Sequence, residues 1–379
     1  APPKLDPIAQ LAERVEKKSV KLKFDKDRGY IPALLQALDV PLWSQVLVFS
    51  KTSLQFRRIS PTTPRAIYFN DDVYIGYVPG GEVCEISSVD PERGGMFYSL
   101  DQEAMETPKF LRRDDCLQCH LSPKTAGVPG HVVRSVYPDP EGFPITRTTS
   151  YVNDHRSPWE ERFGGWYVTG THGKMRHMGN VKAPSEAQPD ALDRNAGANV
   201  SALGRYFDLA PYLTPHSDIV ALMVLSHQTA GHNLIARANF EVRSALESQR
   251  AINQALNEPA TTLSDINNRR IQRAVEVLVK YMLFAGEPSF PSPIRGTSEF
   301  AAEFPKRGKH DAKGRSLRDL DLERRLFKYP LSYLVYTEAF DKLPDPARAR
   351  FAERLNEVLS GKSTEADFKH LTAADRKAS

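Results

Sequence analysis

Five short segments rich in Val, Ile, Tyr and Phe follow one another between about residues 45 and 100, and turn-forming residues separate them. Residues of this kind favour a pleated, half-buried backbone, so the segments predict a run of β-strands. The stretch IYFNDDVYI predicts a hairpin, because Asn70, Asp71 and Asp72 are typical turn residues. The five segments are SQVLVFS, RAIYF, VYIGYV, EVCEISSV and GMFYSL.

The second half of the chain has helical spacing instead. Ser217 and Asp218 can cap a long helix that starts at IVALMVLS. A second helix is predicted in SDINNRRIQRAVEVLVKYMLFAG, where Gly286 and Pro288 end it. Further helices are predicted over 5–18, 318–341, 345–360 and 364–377.

These patterns predict an α+β fold. Residues 1–180 form its β-rich half, which includes a Gly- and Pro-rich loop region over 106–180 with short strands at HVVRSVY and GWYVTG. Residues 181–379 form an α-helical region packed against it, and the polar stretch KAPSEAQPDALDRNAGANV indicates a long connecting loop. The two regions can equally form one continuous domain.

Composition excludes two classes of protein. The chain has 379 residues, and its formal net charge is only +4, with basic residues interleaved with acids as in DLDLERRLFK. This is not the charge distribution of a nucleic-acid-binding protein. The longest apolar run, IVALMVLS, is far shorter than the roughly 20 residues that span a bilayer, so no transmembrane segment is expected. The opening APPKLDP, without an initiator Met, fits a mature protein whose signal peptide was removed.

The most specific motif is CLQCH at residues 116–120. C-x-x-C-H is the attachment signature of c-type haem. Two thiols three residues apart can add to the two vinyl groups of one porphyrin, and the histidine behind them then lies under the iron. Cys116 and Cys119 would therefore carry thioethers, and His120 would be the proximal iron ligand.

Two other uses of a C-x-x-C pair remain open. A structural zinc site needs four ligands, and the only other cysteine, Cys84, lies 32 residues before Cys116. A redox dithiol usually opens a helix after a strand, whereas here RRDD precedes the pair and LSPKTAGVPG follows it. The complete five-residue pattern favours haem over both.

Through CLQCH the chain resembles the c-type cytochromes, although the resemblance covers five residues of 379. It implies one covalently attached haem c and a periplasmic or otherwise extracytoplasmic location. The stretches YFNDDVYIGYVPGG and LFKYPLSYLVYTEAFDKLP are also similar to those of large bacterial single-haem proteins, a resemblance that implies no particular activity.

The opposite face of the iron decides the class of function, because six-coordinate haem transfers electrons and five-coordinate haem can bind a small molecule. The sequence VTGTHGKMRHMGN concentrates candidate ligands. We expect Met178 to be the distal ligand, with His172 as the next choice, since class I cytochromes c take a Met some tens of residues after the attachment histidine. Met175 and His177 lie in the same stretch, and all four can instead be residues of a surface loop.

Cys84 is a weaker candidate for that ligand. A two-residue period in EVCEI puts Cys84 and Ile86 on one face of a strand, with Val83 and Glu85 on the other. This pattern favours a small core residue.

The predicted long helix carries several polar residues within SHQTAGHNLIARAN. Gln228 and His232 share a face at i and i+4, as do Asn233 and Arg237. One interpretation is a hydrogen-bonded network that joins the two halves of the protein. The other is a catalytic pocket over the haem. In it His232 would act as acid or base, Arg237 would stabilise an anion, and Gln228 would lie beside them.

Several arginines flank the motif and can form ion pairs with the haem propionates, because a guanidinium binds a buried carboxylate through two parallel hydrogen bonds. Arg134 is our candidate among them, and solvated surface charge is the alternative for each. The others are Arg112, Arg113, Arg147 and Arg156.

The length of the chain favours one of three functional hypotheses. One haem needs about a hundred residues, and this chain has nearly four times as many, which favours an oxidoreductase acting on a small molecule at the distal side of the haem. The alternative is an electron-transfer cytochrome c with His/Met ligation, a large docking scaffold and a redox partner protein. A third possibility is a haem-based sensor or a structural subunit of a larger redox assembly. The sequence does not identify the substrate.

Overall fold

A computed structural model describes residues 6–259 and 262–378. The start of the chain, on which the expectation of a removed signal peptide depends, lies outside the described residues. The helices are α1 Pro7–Glu16, α2 Ile31–Ala37, α3 Leu117–His120, α4 Ile219–Leu256, α5 Asp265–Met282, α6 Phe300–Glu303, α7 Glu338–Asp341, α8 Asp345–Leu359 and α9 Ala373–Ala378. The strands are β1 Val46–Val48, β2 Arg65–Phe69, β3 Val73–Tyr77, β4 Val83–Asp90, β5 Gly94–Asp101, β6 Phe110–Arg112, β7 Arg134–Ser135, β8 Tyr151–Val152, β9 Trp166–Tyr167, β10 Gly170–Thr171 and β11 Arg295–Gly296.

Seven strands form one antiparallel sheet in the order β6-β5-β4-β3-β2-β1-β9. The β2–β3 hairpin turns at Asn70, as the sequence predicts, and the Asn70 side chain accepts hydrogen bonds from the backbone N–H groups of Asp72 and Val73. Two small pairs, β7–β8 and β10–β11, lie outside this sheet.

Alternating side chains along the strands build two cores. Tyr68, Ile75 and Ile86 point to one face, where they pack with α1 and α2. Phe69 and Tyr74 point to the other face and share a core with α4, α5 and α8. The α+β fold class is therefore confirmed, with an N-terminal antiparallel sheet and a mostly helical C-terminal part, and the second core contains residues from both halves of the chain.

Helix α4 is the central element of the helical part. The Asp218 side chain accepts hydrogen bonds from the backbone of Val220 and Ala221, which confirms the predicted cap. Gly231 lies in the middle of the helix because a Cβ there would come within 2.2 Å of the Leu334 side chain. The close approach explains why a residue with poor helix propensity occurs at this position.

The helix predicted over 318–341 is wrong for most of its length. Only a 3-10 turn at Tyr333–Tyr336 and the short α7 form there. Pro330 interrupts the segment, and Leu322 has a positive φ of 60°, which a helix does not allow. The pattern also did not predict α2 and β6. Among the described residues no helix is long and apolar enough to cross a membrane.

Candidate cofactor site

The CLQCH motif follows β6, the edge strand of the large sheet, and forms one turn of helix. A 3-10 turn at Asp114–Cys116 continues into α3, and the Arg113 backbone N–H donates to the Phe97 carbonyl at the start of this turn. Cys116 is partly buried and Cys119 is exposed, and both thiols are free. The two sulfur atoms are therefore available for a covalent bond.

The His120 imidazole has one defined tautomer. Its Nδ1 lies 2.8 Å from the Gly130 carbonyl, which can only accept, so Nδ1 carries the proton. The Gly130 N–H donates in return to the His120 carbonyl at 2.9 Å. The Phe97 ring packs against the imidazole, with ring centroids 4.6 Å apart, and burial lowers the pKa of His120. The ring is therefore neutral, with the lone pair on Nε2.

Helix α4 holds the loop that supplies this acceptor. Asn233 accepts from the His131 backbone N–H at 3.0 Å and donates to the His131 carbonyl at 2.7 Å. Gly130 has to be glycine here, because a Cβ would lie 2.1 Å from the Asn233 Oδ1. A residue 102 positions after His131 thus fixes the carbonyl that orients His120.

An ion pair that the sequence did not single out lies beside the motif. Arg65 on β2 pairs with Glu85 on β4, and both side chains are only 17% exposed. Glu85 also accepts hydrogen bonds from Ser53 and Gln55. The charges of Arg65 and Glu85 act on the pKa of His120 in opposite directions, which places this pair within electrostatic reach of the imidazole.

Cys84 points away from the motif. It is fully buried with Ile86 in the core between the sheet and the N-terminal helices, as its strand period predicts. Glu85, the next residue, faces the opposite side. Burial raises the pKa of the Cys84 thiol, so this side chain is a neutral core residue.

The loop that contains the expected distal ligands is not a surface loop, and that alternative interpretation is wrong. Met178 is 0% exposed and packs with Tyr137, Ile145 and Ala183. Its Sδ accepts a hydrogen bond from the Ser135 hydroxyl at 3.7 Å. Met175 belongs to the core around α4.

The two histidines of the same loop are also core residues. His172 Nε2 accepts from the Asn199 backbone N–H at 3.1 Å, and the ring stacks on Trp159. His177 Nδ1 accepts from the Gly179 N–H, and burial lowers the pKa of His177 to about 3. Among the described residues, no hydrogen bond or ring contact joins residues 172–178 to residues 116–120. Met178 and His172 as iron ligands therefore stay predictions.

The polar residues of α4 join the helix to the sheet. Gln228 donates to the Asn70 carbonyl and the Tyr74 hydroxyl, and its Oε1 accepts from the Tyr333 hydroxyl at 2.7 Å. These three bonds use both of its N–H groups and its carbonyl oxygen. The contacts match the interpretation of a network between the two halves.

His232 and Arg237 differ from each other in their surroundings. The His232 Nε2 donates to the Asp71 carbonyl at 2.8 Å, while its buried Nδ1 has no partner among the described residues. Arg237 is exposed and pairs with Glu241, and a Cβ on Gly127 would lie 3.3 Å from its Nη1. Arg237 therefore borders the loop that follows the motif, and catalytic roles for Gln228, His232 and Arg237 stay predictions.

The arginines near the motif divide into paired and unpaired groups. Arg112, Arg113 and Arg156 form ion pairs with neighbouring aspartates. Arg147 is exposed. Arg134 is half-buried, its Nε is fully buried, and its guanidinium makes no hydrogen bond or ion pair with any described residue.

The comparisons with known proteins add no relative. No protein-family profile, no curated protein and no solved structure matches this chain. Within residues 6–259 and 262–378, no three His, Cys, Asp or Glu side chains converge on a point where they could together hold a metal ion.

Proposed function

We propose that this chain carries one haem c, bound through thioethers to Cys116 and Cys119, with His120 as the proximal iron ligand. The observation that supports this most directly is the state of His120. Its Nδ1–H is held by the Gly130 carbonyl, so the lone pair on Nε2 is free to bind iron. The continuous turn over residues 114–120 carries both free thiols and this histidine.

The chain's own residues would tune such a cofactor. Haem supplies one-electron chemistry and, where its sixth position is open, binds small molecules. The hydrogen bond from Nδ1 to Gly130 raises the basicity of the His120 imidazole, and Asn233 keeps the accepting carbonyl in place. Arg65 and Glu85 form a nearly neutral pair, so they would add little net charge near the His120 imidazole that is to hold the iron.

We favour an oxidoreductase that acts on a small molecule at the distal side of the haem. The supporting observation is that Met178 and His172 already have partners in the core, Ser135 and Asn199 respectively. Both side chains would have to leave buried positions to bind iron, which weighs against Met or His ligation from this loop and so supports the oxidoreductase.

The second candidate is an electron-transfer cytochrome c. The observation that favours it is the surface position of the motif, where Cys119 is exposed and Leu121, directly after His120, is 47% exposed. A haem edge at the surface suits electron exchange with a partner protein. Either function implies export, because haem c is attached outside the cytoplasm, and we propose a periplasmic location.

Covalent attachment is tested by haem staining after denaturing electrophoresis of protein exported by a bacterium that matures c-type cytochromes. Cys116→Ala and Cys119→Ala should each weaken the stain, and the double variant should abolish it. Cys84→Ala is the matched control and should keep the stain, since Cys84 lies in the opposite core. A wild-type protein without stain would contradict the proposal.

Optical spectra separate the two functions. A high-spin oxidised spectrum that changes on addition of cyanide, with carbon monoxide binding to the reduced protein, is the expected result for the oxidoreductase. A six-coordinate spectrum with the weak long-wavelength band of Met ligation would instead support electron transfer. Met178→Leu should remove that band if Met178 binds iron, and Met175→Leu in the same loop is its control.

A further inference from the structure

The cavity beside Arg134 has the lining of an anion site. It has a volume of about 150 Å³, roughly ten times the ~10–15 Å³ that one water molecule requires. None of the described residues that line it is acidic. Its walls are Arg134 and Val136 from the β7 segment and Pro144, Ile145, Thr146, Thr148, Thr149 and Ser150 from one loop.

The backbone of Arg134 is held in place at this cavity. Its strand pairs with β8, and its carbonyl accepts a hydrogen bond from the Trp166 indole at 2.8 Å. Arg134 and Val136 point to the same side of the chain, into the cavity, while Ser135 between them points to the core. The backbone therefore fixes the side of the chain from which the Arg134 side chain leaves.

The guanidinium lacks the partner that its position requires. Its Nε–H is buried without an acceptor, and no described carboxylate pairs with it. An anion in the cavity would therefore be bound by the terminal Nη groups, which are not buried and make no hydrogen bond to any described residue, because the buried Nε is out of reach of a molecule in the cavity.

The opposite wall adds neutral donors. Thr148 already donates to the Ile145 carbonyl at 2.6 Å, but the hydroxyls of Thr146, Thr149 and Ser150 make no hydrogen bond to any described residue. A guanidinium and several hydroxyl donors that line one cavity match the oxygen atoms of a carboxylate or a tetrahedral oxyanion.

We propose that this cavity binds a small oxyanion through Arg134 and the hydroxyls of residues 146–150. Two sources have this chemistry, a free anion such as phosphate or a carboxylate of a bound haem propionate. The free-anion source is independent of haem attachment, whereas the propionate source rests on the proposed function.

Calorimetric titration of the purified full-length protein with inorganic phosphate tests the free-anion source. Saturable binding is expected, and Arg134→Gln should weaken it by about tenfold or more, because it removes a charge-assisted hydrogen bond. Arg147→Gln is the matched control, since Arg147 is exposed on the same loop but does not line the cavity, and it should change the affinity less than about twofold. Arg134→Lys should give an intermediate affinity.

The haem midpoint potential tests the propionate source. If a propionate fills the cavity, the wild-type protein takes up no phosphate, and Arg134→Gln shifts the midpoint potential while Arg147→Gln does not. Circular dichroism of each variant checks that it is folded. The proposal is overturned if phosphate does not bind and the two variants have the same potential, or if phosphate binds and both variants bind it like the wild type.

Discussion

The contact between Asn233 and His131 makes a quantitative prediction about stability. Asn233→Ala removes two buried hydrogen bonds, of 3.0 and 2.7 Å, and leaves the N–H and carbonyl of His131 without partners. An unsatisfied buried group costs about 1–3 kcal/mol, so we expect a loss of about 2–5 kcal/mol in the free energy of unfolding. This is a large part of the ~5–15 kcal/mol by which domains are usually stable.

Asn239 on the same helix is the matched control. It is also buried, but its donor distances of 3.5 and 3.4 Å, to Pro91 and Lys342, exceed those of a good hydrogen bond. Asn239→Ala should therefore cost about 1 kcal/mol or less. Urea unfolding followed by circular dichroism measures both values. Equal losses in the two variants would refute the reasoning that the His131 contact is a strong link.

The same pair of variants tests the positioning of His120. Release of the His131 backbone frees the neighbouring Gly130 carbonyl, which accepts from His120 Nδ1. In haem-bearing protein we expect Asn233→Ala to shift the midpoint potential and Asn239→Ala to leave it unchanged. A purely structural role for Asn233 would lower stability in both oxidation states and leave the potential as in the wild type.

Three further predictions concern buried groups. Burial lowers the pKa of His227 to about 3, against about 6.5 in the unfolded chain, so the unfolded state takes up the proton first and stability falls as pH drops below about 6.5, by up to ~1.4 kcal/mol per pH unit. The stability difference between wild type and His227→Gln, measured by urea unfolding, should therefore shrink from about pH 7 to pH 5, and a constant difference would contradict this cause. Cys84→Ser should lower stability by about 1–3 kcal/mol, because it places a hydroxyl in an apolar core, and should keep covalent haem; loss of haem stain would argue against Cys84 as a core residue. Gly130→Ala should destabilise strongly alone and much less in the Asn233→Ala background, where the contact 2.1 Å from its Cβ is gone, so additive losses in the double-mutant cycle would disprove the clash.

Local patterns predicted the elements of the fold with some success. The five segments between residues 45 and 100 are five neighbouring strands, and their period of two predicted the inward position of Cys84. The Asp218 cap and the long α4 were also predicted. The helix expected over 318–341 was wrong, since apolar spacing there reflects contacts of irregular chain with the core.

Some residues of the candidate site could be predicted from local sequence, and others could not. CLQCH alone predicted which side chains would hold a cofactor, because that chemistry depends on five adjacent residues. Asn233 and Gln228 were recognised as unusual polar residues in an apolar helix, but their partners lie 102 to 158 positions away and leave no local pattern. The sequence likewise could not predict that Arg134 lacks a partner among the described residues, because this depends on which distant side chains surround it.

The sequence by itself determined that a β-rich region precedes a helical one and which strand residues share a face. It also determined which three side chains the proposed haem site uses. Each is a property of residues close together in the chain, where backbone geometry sets the spacing. Only the tertiary structure decided that the loop of Met178 lies in the core, that Gly130 sets the tautomer of His120, and that Arg134 lines a cavity and has no ionic partner among the described residues. These follow from the packing of distant segments against one another, which decides burial and partners for each polar group.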